Sequence, residues 1–244
     1  MKKVTILTSL YKASSYLNGF LENMTEQTMF NDCLLYLMDA NSPENENEII
    51  KPYLEKYDNI KYEKITEDPG VYGCWNNMIK SSESQYITNA NVDDRLFPNC
   101  IEKHVETLDS QSDIDVAYCY NAIVHEKNIS YRDITENGVF NCDVQLFPTE
   151  SYSLNALKKY NLPHNHPMWR RSLHEKWGYF EEGKYVSGSD WDFWLRCGCD
   201  GVKMKLIQNV LGIYYKNPEG ISTKEENMER NLQEVREIRE KYAN

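Results

Sequence analysis

Basic residues are the first shortfall of this 244-residue chain: 27 Lys and Arg stand against 38 Asp and Glu, a formal net charge of −11. Nucleic-acid recognition needs clustered cations that release phosphate counterions, and no such cluster occurs, so a nucleic-acid partner is excluded. Glycine is scarce as well, at 11 residues, and neither G-x-G-x-x-G nor G-x-x-x-x-G-K-[ST] is present. The two glycine-rich loops that cradle dinucleotides and triphosphates are therefore missing. An acidic chain that binds phosphates must do so locally, and a divalent metal is the obvious means. No apolar run approaches the ~18 residues of a membrane span. Met1-Lys2-Lys3 leads straight into Val4-Thr5-Ile6-Leu7, without the apolar stretch and cleavage site of a secretory signal. The reading is a cytoplasmic protein with no transmembrane segment, peripheral contact with a membrane staying open. The seven cysteines, at 33, 74, 100, 119, 142, 197 and 199, are odd in number and lack framework or zinc-finger spacing, so reduced thiols are expected. Cys197-Gly198-Cys199 is too tight for a structural zinc pair.

What is present is apolar and aromatic material, 41% and 12% with 18 tyrosines, which excludes a disordered chain. The length suits one catalytic unit, residues 1–244, with a substantial core. Short apolar runs alternate with helical periodicity over the first hundred residues, the pattern of parallel strands joined by helical crossovers. Strands are expected at 4–10, 34–38, 60–65 and 85–89. Between them Leu17, Phe20, Leu21 and Met24 mark one helix, and Val71, Cys74, Trp75, Met78 and Ile79 another. Ser42-Pro43-Glu44 reads as the N-terminus of the helix that buries Ile49, Ile50, Tyr53, Leu54 and Tyr57. Beyond Leu96 the regularity weakens: a helix at 98–108, strand-like segments between 114 and 140, an irregular polar stretch at 159–167, a short helix from 190 and a strand at 204–215. The closing helix, from about 223, is expected to turn Met228, Leu232, Val235 and Ile238 inward.

Ligands of an open α/β sheet gather outside the carboxyl ends of its strands. There the sequence places Ser9 and Tyr11, Asp39, Asp68, and the acidic turn Asn91-Val92-Asp93-Asp94. Adjacent carboxylates at a strand end are hard oxygen ligands for Mg²⁺ or Mn²⁺; they equally cap the helix that follows Pro98. Asp190, in Ser189-Asp190-Trp191-Asp192-Phe193-Trp194, stands at a helix start walled by tryptophans, a setting for a general base. Ser189 with Asp192 three residues on also reads as a capping box. His164-Asn165-His166 reads as a surface loop. Tyr214-Tyr215-Lys216-Asn217 serves either a sugar or phosphate contact or simple packing at a strand end.

Taken in order, these segments resemble the inverting family-2 glycosyltransferases of the GT-A fold, over about residues 3 to 220. Val4 to Tyr11 is similar to the family's opening strand and turn, with Thr8 in place of proline. Leu37-Met38-Asp39-Ala40-Asn41-Ser42 is similar to its strand ending in Asp-Asp-Gly-Ser. Asp68-Pro69-Gly70-Val71-Tyr72-Gly73-Cys74-Trp75-Asn76 resembles its Asp-x-Gly-Ile-Tyr-x-Ala-x-Asn segment. Tyr86 to Asp94 resembles its strand and D-x-D turn, with Asn91 for the first aspartate. Ser189-Asp190 through Arg196 looks like its Glu-Asp motif, with Ser189 for glutamate. No histidine follows His174 to act as the further metal ligand of many relatives.

The resemblance implies an α/β, mainly parallel central sheet flanked by helices, with a nucleotide-binding half (1–96), an acceptor-binding half (97–220) and a C-terminal helix (221–244). It implies Asp190 as catalytic base; Ser9, Tyr11, Asp39, Asp68, Asn76, Asn91 and Asp93 at the nucleotide sugar; Asp93 and Asp94 as ligands of Mn²⁺ or Mg²⁺. Trp169 and Trp191 are expected on the acceptor side. The partners implied are a nucleotide-sugar donor, most simply a UDP-sugar, and a glycan or other hydroxyl acceptor. The rivals are a catalytically degenerate nucleotide- or glycan-binding module of the same fold, and a nucleotidyltransferase. The second lacks support in the glycine-free loop Thr8–Ser15 with its single Lys12.

Overall fold

The computed structural model describes residues 1–136, 139–140, 145–148 and 150–243. Its first part alternates as the hydrophobic pattern requires: β1 (Val4–Leu10), α1 (Ser14–Thr25), β2 (Cys33–Asp39), α2 (Glu46–Lys56), β3 (Ile60–Lys64), α3 (Gly70–Lys80) and β4 (Tyr86–Asn89). There follow β5 (Arg95–Leu96), α4 (Cys100–Ser110), β6 (Val116–Val124), α5 (Tyr131–Ile134), β7 (Thr135–Glu136), β8 (Val139–Phe140) and β9 (Gln145–Phe147). The last part comprises α6 (Leu154–Lys159), β10 (Met168–Arg170), α7 (Leu173–Trp177), α8 (Ser189–Cys199), β11 (Met204–Tyr215) and α9 (Met228–Lys241).

The main sheet runs β3-β2-β1-β4-β10-β6-β11-β5, with β9 on β6, while β7 and β8 form a separate pair. β1 to β4 are parallel, β10 inserts antiparallel between β4 and β6, and β11 lies parallel to β6. The chain thus travels outward from β1 to β3 and returns to β4 on the other side of β1. That reversal opens a crevice beyond the carboxyl ends of β1 and β4, where a doubly wound sheet takes its ligands. Both faces are covered: Leu7, Tyr36 and Met38 pack with α3 and α8, and Val4, Ile6, Leu35 and Leu37 pack with α1 and α4. Because successive side chains point to opposite faces, strands buried on both sides must be apolar throughout, as Val4–Leu10 nearly is.

Four expectations need correction. Ser42 does not open α2, which starts at Glu46 with Asn45 before it; its hydroxyl accepts from Lys12 N and donates to Glu46 Oε1 instead. The Ser189/Asp192 capping box does not form: Ser189 Oγ donates to Glu181 O, and Asp192 pairs with Arg196 and Lys241. His164-Asn165-His166 is no surface loop, since Asn165 and His166 are 5% and 2% exposed. Finally, α9 turns Glu234 and Ile238 inward and leaves Met228 and Leu232 56% and 52% exposed.

α7 carries a buried histidine whose titration is a handle on stability. His174 Nδ1 donates to Gly178 O (2.8 Å) and Nε2 accepts from Trp169 Nε1 (2.9 Å), so the ring sits as one neutral tautomer. Burial holds its pKa down from 6.5 to about 4. The unfolded chain binds this proton below its unperturbed pKa and the folded chain does not, so stability is lost as pH falls through that window. The loss attributable to His174 is ~3 kcal/mol by pH 4. Thermal unfolding of wild type and His174→Phe at pH 7 and pH 5 is expected to show a smaller pH-induced drop in the variant; equal drops would remove the assignment.

Candidate active site

The corner beyond the end of β1 is built by side chains of β2, of the loop after it and of α2 reaching back to the first loop. Ala13 N donates to Glu46 Oε1 and Ser14 N to Glu44 Oε2, each at 3.0 Å, which satisfies the amides at the start of α1. Asp39, 1% exposed, accepts from Ser42 N (2.7 Å) and Tyr62 OH (2.7 Å) and lies 3.3 Å from Lys64 Nζ. One oxygen thus holds an amide of the loop and the other a hydroxyl from β3, and the carboxylate shapes the loop. Ser9 is half-buried and Tyr11 is 51% exposed at the mouth of the crevice. Asp68 is exposed and caps α3 through Gly70 N. Asn76 is fully buried, bonded to Phe180 O, Phe180 N and Glu182 Oε1. It fastens the segment before α8.

The acidic turn separates its two carboxylates by role. Asp94, 2% exposed, accepts from Tyr215 N (2.9 Å), Asn91 Nδ2 (3.1 Å) and Asn165 Nδ2. Burial, then the neighbouring charge of Asp93, holds its carboxyl well above the usual range. Asp93 is half-exposed, and among the described residues its one hydrogen bond comes from Asn217 Nδ2 at 3.1 Å. Of the two carboxylates Asp93 is therefore the more open to solvent and Asp94 the one enclosed by neighbours. Arg95, buried beneath the turn, ties Val92 O and Asp94 O to Tyr16 O of α1. The end of β11 therefore serves the acidic turn through Tyr215 and Asn217, a function that neither sequence reading of 214–217 contained.

Asp190 sits half-buried in the first turn of α8. Its Oδ1 accepts from Trp191 N (2.8 Å) and lies 3.0 Å from the Tyr72 hydroxyl, which is also 3.1 Å from Ser187 O. Its Oδ2 accepts from Asn161 Nδ2 at 2.8 Å. Burial, then the Asp190 charge, raises the Tyr72 pKa, so that phenol stays protonated as a donor. A short run of residues joins this centre to the acidic turn: Asn161, which holds Asp190 Oδ2, accepts at its carbonyl from His164 N (3.2 Å), and Asn165 donates to Asp94. His164, Asn165, Asn121, Ile123, Phe147 and Tyr214 line an adjoining cavity of about 180 Å³. Gly212 has no room for a side chain, since a Cβ would overlap Asn121 and His166.

The two acceptor-side tryptophans are not in this cavity. Trp169 is 0% exposed, stacked edge-to-face on Trp194 at 5.3 Å, and Trp191 is 4% exposed with Nε1 donating to Leu157 O. Both are core residues, because a large ring with one satisfied N–H gains most from full burial.

The strand order and the acidic turn agree with the match of the glycosyl transferase family 2 model to residues 5–176. The chain belongs to that family. As a family-2 glycosyltransferase it is similar to a glycosyltransferase of Methanocaldococcus jannaschii, 24% identical over 88% of this chain and 71% of the relative. It is also similar to the minor teichoic acid biosynthesis protein GgaB of Bacillus subtilis, 29% identical over 46% of this chain and 13% of the relative. The S. aureus TarS 1–349 structure in complex with UDP-GlcNAc superposes with a TM-score of 0.74, at 16% identity, covering 98% of this chain and 65% of that one. A Pyrobaculum calidifontis mannosyltransferase in complex with GDP-Man and Mn²⁺ gives 0.69 at 14% identity, covering 96% of this chain and 62% of its own. The fold is GT-A, and this chain spans about two thirds of those two solved chains. Residues 177–243, with α8 and α9, lie past the segment matched to the family. Among the described residues, no helix is long and apolar enough to cross a membrane.

Proposed function

We propose that this glycosyltransferase moves a sugar from a UDP-sugar to an acceptor hydroxyl with inversion at the anomeric carbon. The observation that carries the reading is the position of Asp190, half-buried and linked by hydrogen bonds through Asn161, His164 and Asn165 to the turn that bears Asp93. The carboxylate takes the proton of the acceptor hydroxyl as that oxygen attacks the anomeric carbon from the face opposite the departing diphosphate. Tyr72 and Asn161 each hold one oxygen of Asp190, which aims the carboxylate while leaving lone pairs for the incoming proton. The complexes of the structural neighbours with UDP-GlcNAc and with GDP-Man support a nucleoside-diphosphate donor.

The acidic turn fits a hard divalent cation. Asp93 has an oxygen unbonded among the described residues, and the carboxamide of Asn91 stands beside it with its own oxygen likewise unbonded. Bound there, Mn²⁺ or Mg²⁺ would neutralise charge developing on the leaving diphosphate. Tyr16 of α1, its pKa raised by burial and then by the charges of Tyr215 and Asp93, closes the same corner.

Calorimetric titration of UDP into the protein with Mn²⁺, repeated in EDTA, together with release of UDP from UDP-sugars, tests the proposal. Metal-dependent binding with turnover is the expected result. Binding without turnover for any UDP-sugar and acceptor would favour the degenerate module, and no binding of UDP under either condition would overturn the donor assignment.

A further inference from the structure

We infer that Glu234, on the C-terminal helix, is a positioning residue for the catalytic base. α9 is a charged helix, MERNLQEVREIREK, and at the centre of its inward face stands a carboxylate that is 4% exposed. Glu234 Oε1 accepts from Val186 N (2.8 Å); Oε2 accepts from Ser187 N (2.9 Å), Ser187 Oγ (3.0 Å) and Gly188 N (3.0 Å). One side chain thus holds three consecutive amides immediately before α8. A buried carboxylate bound by several N–H donors is a stiff anchor, because releasing any one leaves charge or a donor unsatisfied in a poorly solvated site.

The anchored loop leads directly to Asp190. Its Ser187 carbonyl and Asp190 Oδ1 share the Tyr72 hydroxyl, so a shift of the loop moves both the base and the donor that aims it. Gly188 permits the docking: a Cβ there would come within 2.7 Å of Ile238 Cδ1 and 3.5 Å of Glu234 Oε2. On the other side of Asp190, the same helix grips Asp192, which is 0% exposed and accepts from Lys241 Nζ (2.7 Å) and Tyr242 OH (3.1 Å). The base lies between two points at which α9 is fastened. This inference rests on Asp190 being the base, and misplacement of a reacting group by about 1 Å costs on the order of 100-fold in rate.

The test is steady-state kinetics of Glu234→Gln, with rates referred to the fraction of protein that binds UDP. The amide keeps the shape but sets an N–H₂ against backbone donors. The expected result is a fall in kcat of about 10- to 100-fold with the KM for donor and the UDP affinity within about twofold of wild type. Gly188→Ala, whose Cβ pushes the loop from Ile238 while leaving the Glu234 carboxylate unaltered, is expected to move kcat the same way and provides the answer if Glu234→Gln does not fold. An unchanged kcat in both variants, with only the melting temperature lowered, overturns the inference and leaves Glu234 a purely structural anchor. The double variant with Asp190→Asn separates this from the base assignment. No further loss on adding Glu234→Gln shows that Glu234 acts through Asp190, whereas an additive loss overturns it. Full activity of Asp190→Asn alone would remove the base itself, a result that the Glu234 measurements cannot mimic.

Discussion

Replacement of Asp190 by asparagine is expected to lower kcat by ~10³-fold while UDP binding in Mn²⁺ stays within about twofold. Asparagine is isosteric and can keep the contacts from Tyr72 and Asn161 after rotation of its amide, but it has no carboxylate to accept the proton of the acceptor hydroxyl. Asp190 lies on α8, across the His164-Asn165 bridge from the acidic turn, so its loss leaves Asp93, Asn91 and the first loop as they were. Single-turnover transfer measured beside UDP titration decides the matter. Parallel loss of transfer and nucleotide affinity would mean that Asp190 holds the donor rather than the acceptor proton.

The second large effect separates Asp93 from Asp94. Asp93→Ala is expected to weaken metal-dependent UDP binding by at least ~100-fold, more than the loss typical for changes in groups that merely support a ligand, with little change in melting temperature. Asp94→Asn is expected to do the reverse. Asp94 is 2% exposed and accepts from Asn91, Asn165 and Tyr215 N. An amide in its place turns a donor toward donors in a buried site, at a cost of ~3 kcal/mol. For a chain of this size that lowers the melting temperature by roughly 6–12 °C. Calorimetric titration and thermal unfolding of the two variants give the comparison. If Asp94→Asn abolished metal-dependent binding with an unchanged melting temperature, the buried carboxylate would be the ligand after all.

Much of the frame was readable beforehand. The alternation through β1 to β4 follows from apolar runs and helical spacing, and the strand ends at Ser9, Asp39 and Asn91 are where a doubly wound sheet leaves its crevice. Less legible was which polar residue at those ends faces the ligand. Asp39 and Asp94 are the same residue type as Asp190 and Asp93, yet they, like Asn76, are buried and bonded to neighbours 3 to 121 positions away. Their partners are set by strand order and helix docking, which local spacing does not record. The tryptophans show the same limit, since an aromatic ring near a site in sequence suits a sugar face and a core equally well.

Sequence by itself determined the class of fold and the family, because binary pattern and motif order are local properties of the chain. Only the tertiary structure decided that Asp93 and not Asp94 is open, and that Tyr72 and Asn161 aim Asp190 over separations of 118 and 29 residues. It alone placed Glu234 on the loop before Asp190 and turned Met228 and Leu232 outward. The physical reason is that a helix's inward face is chosen by what waits to receive it. Three unsatisfied amides at Val186, Ser187 and Gly188 stabilise a buried carboxylate where helical periodicity alone would have placed a methionine or a leucine.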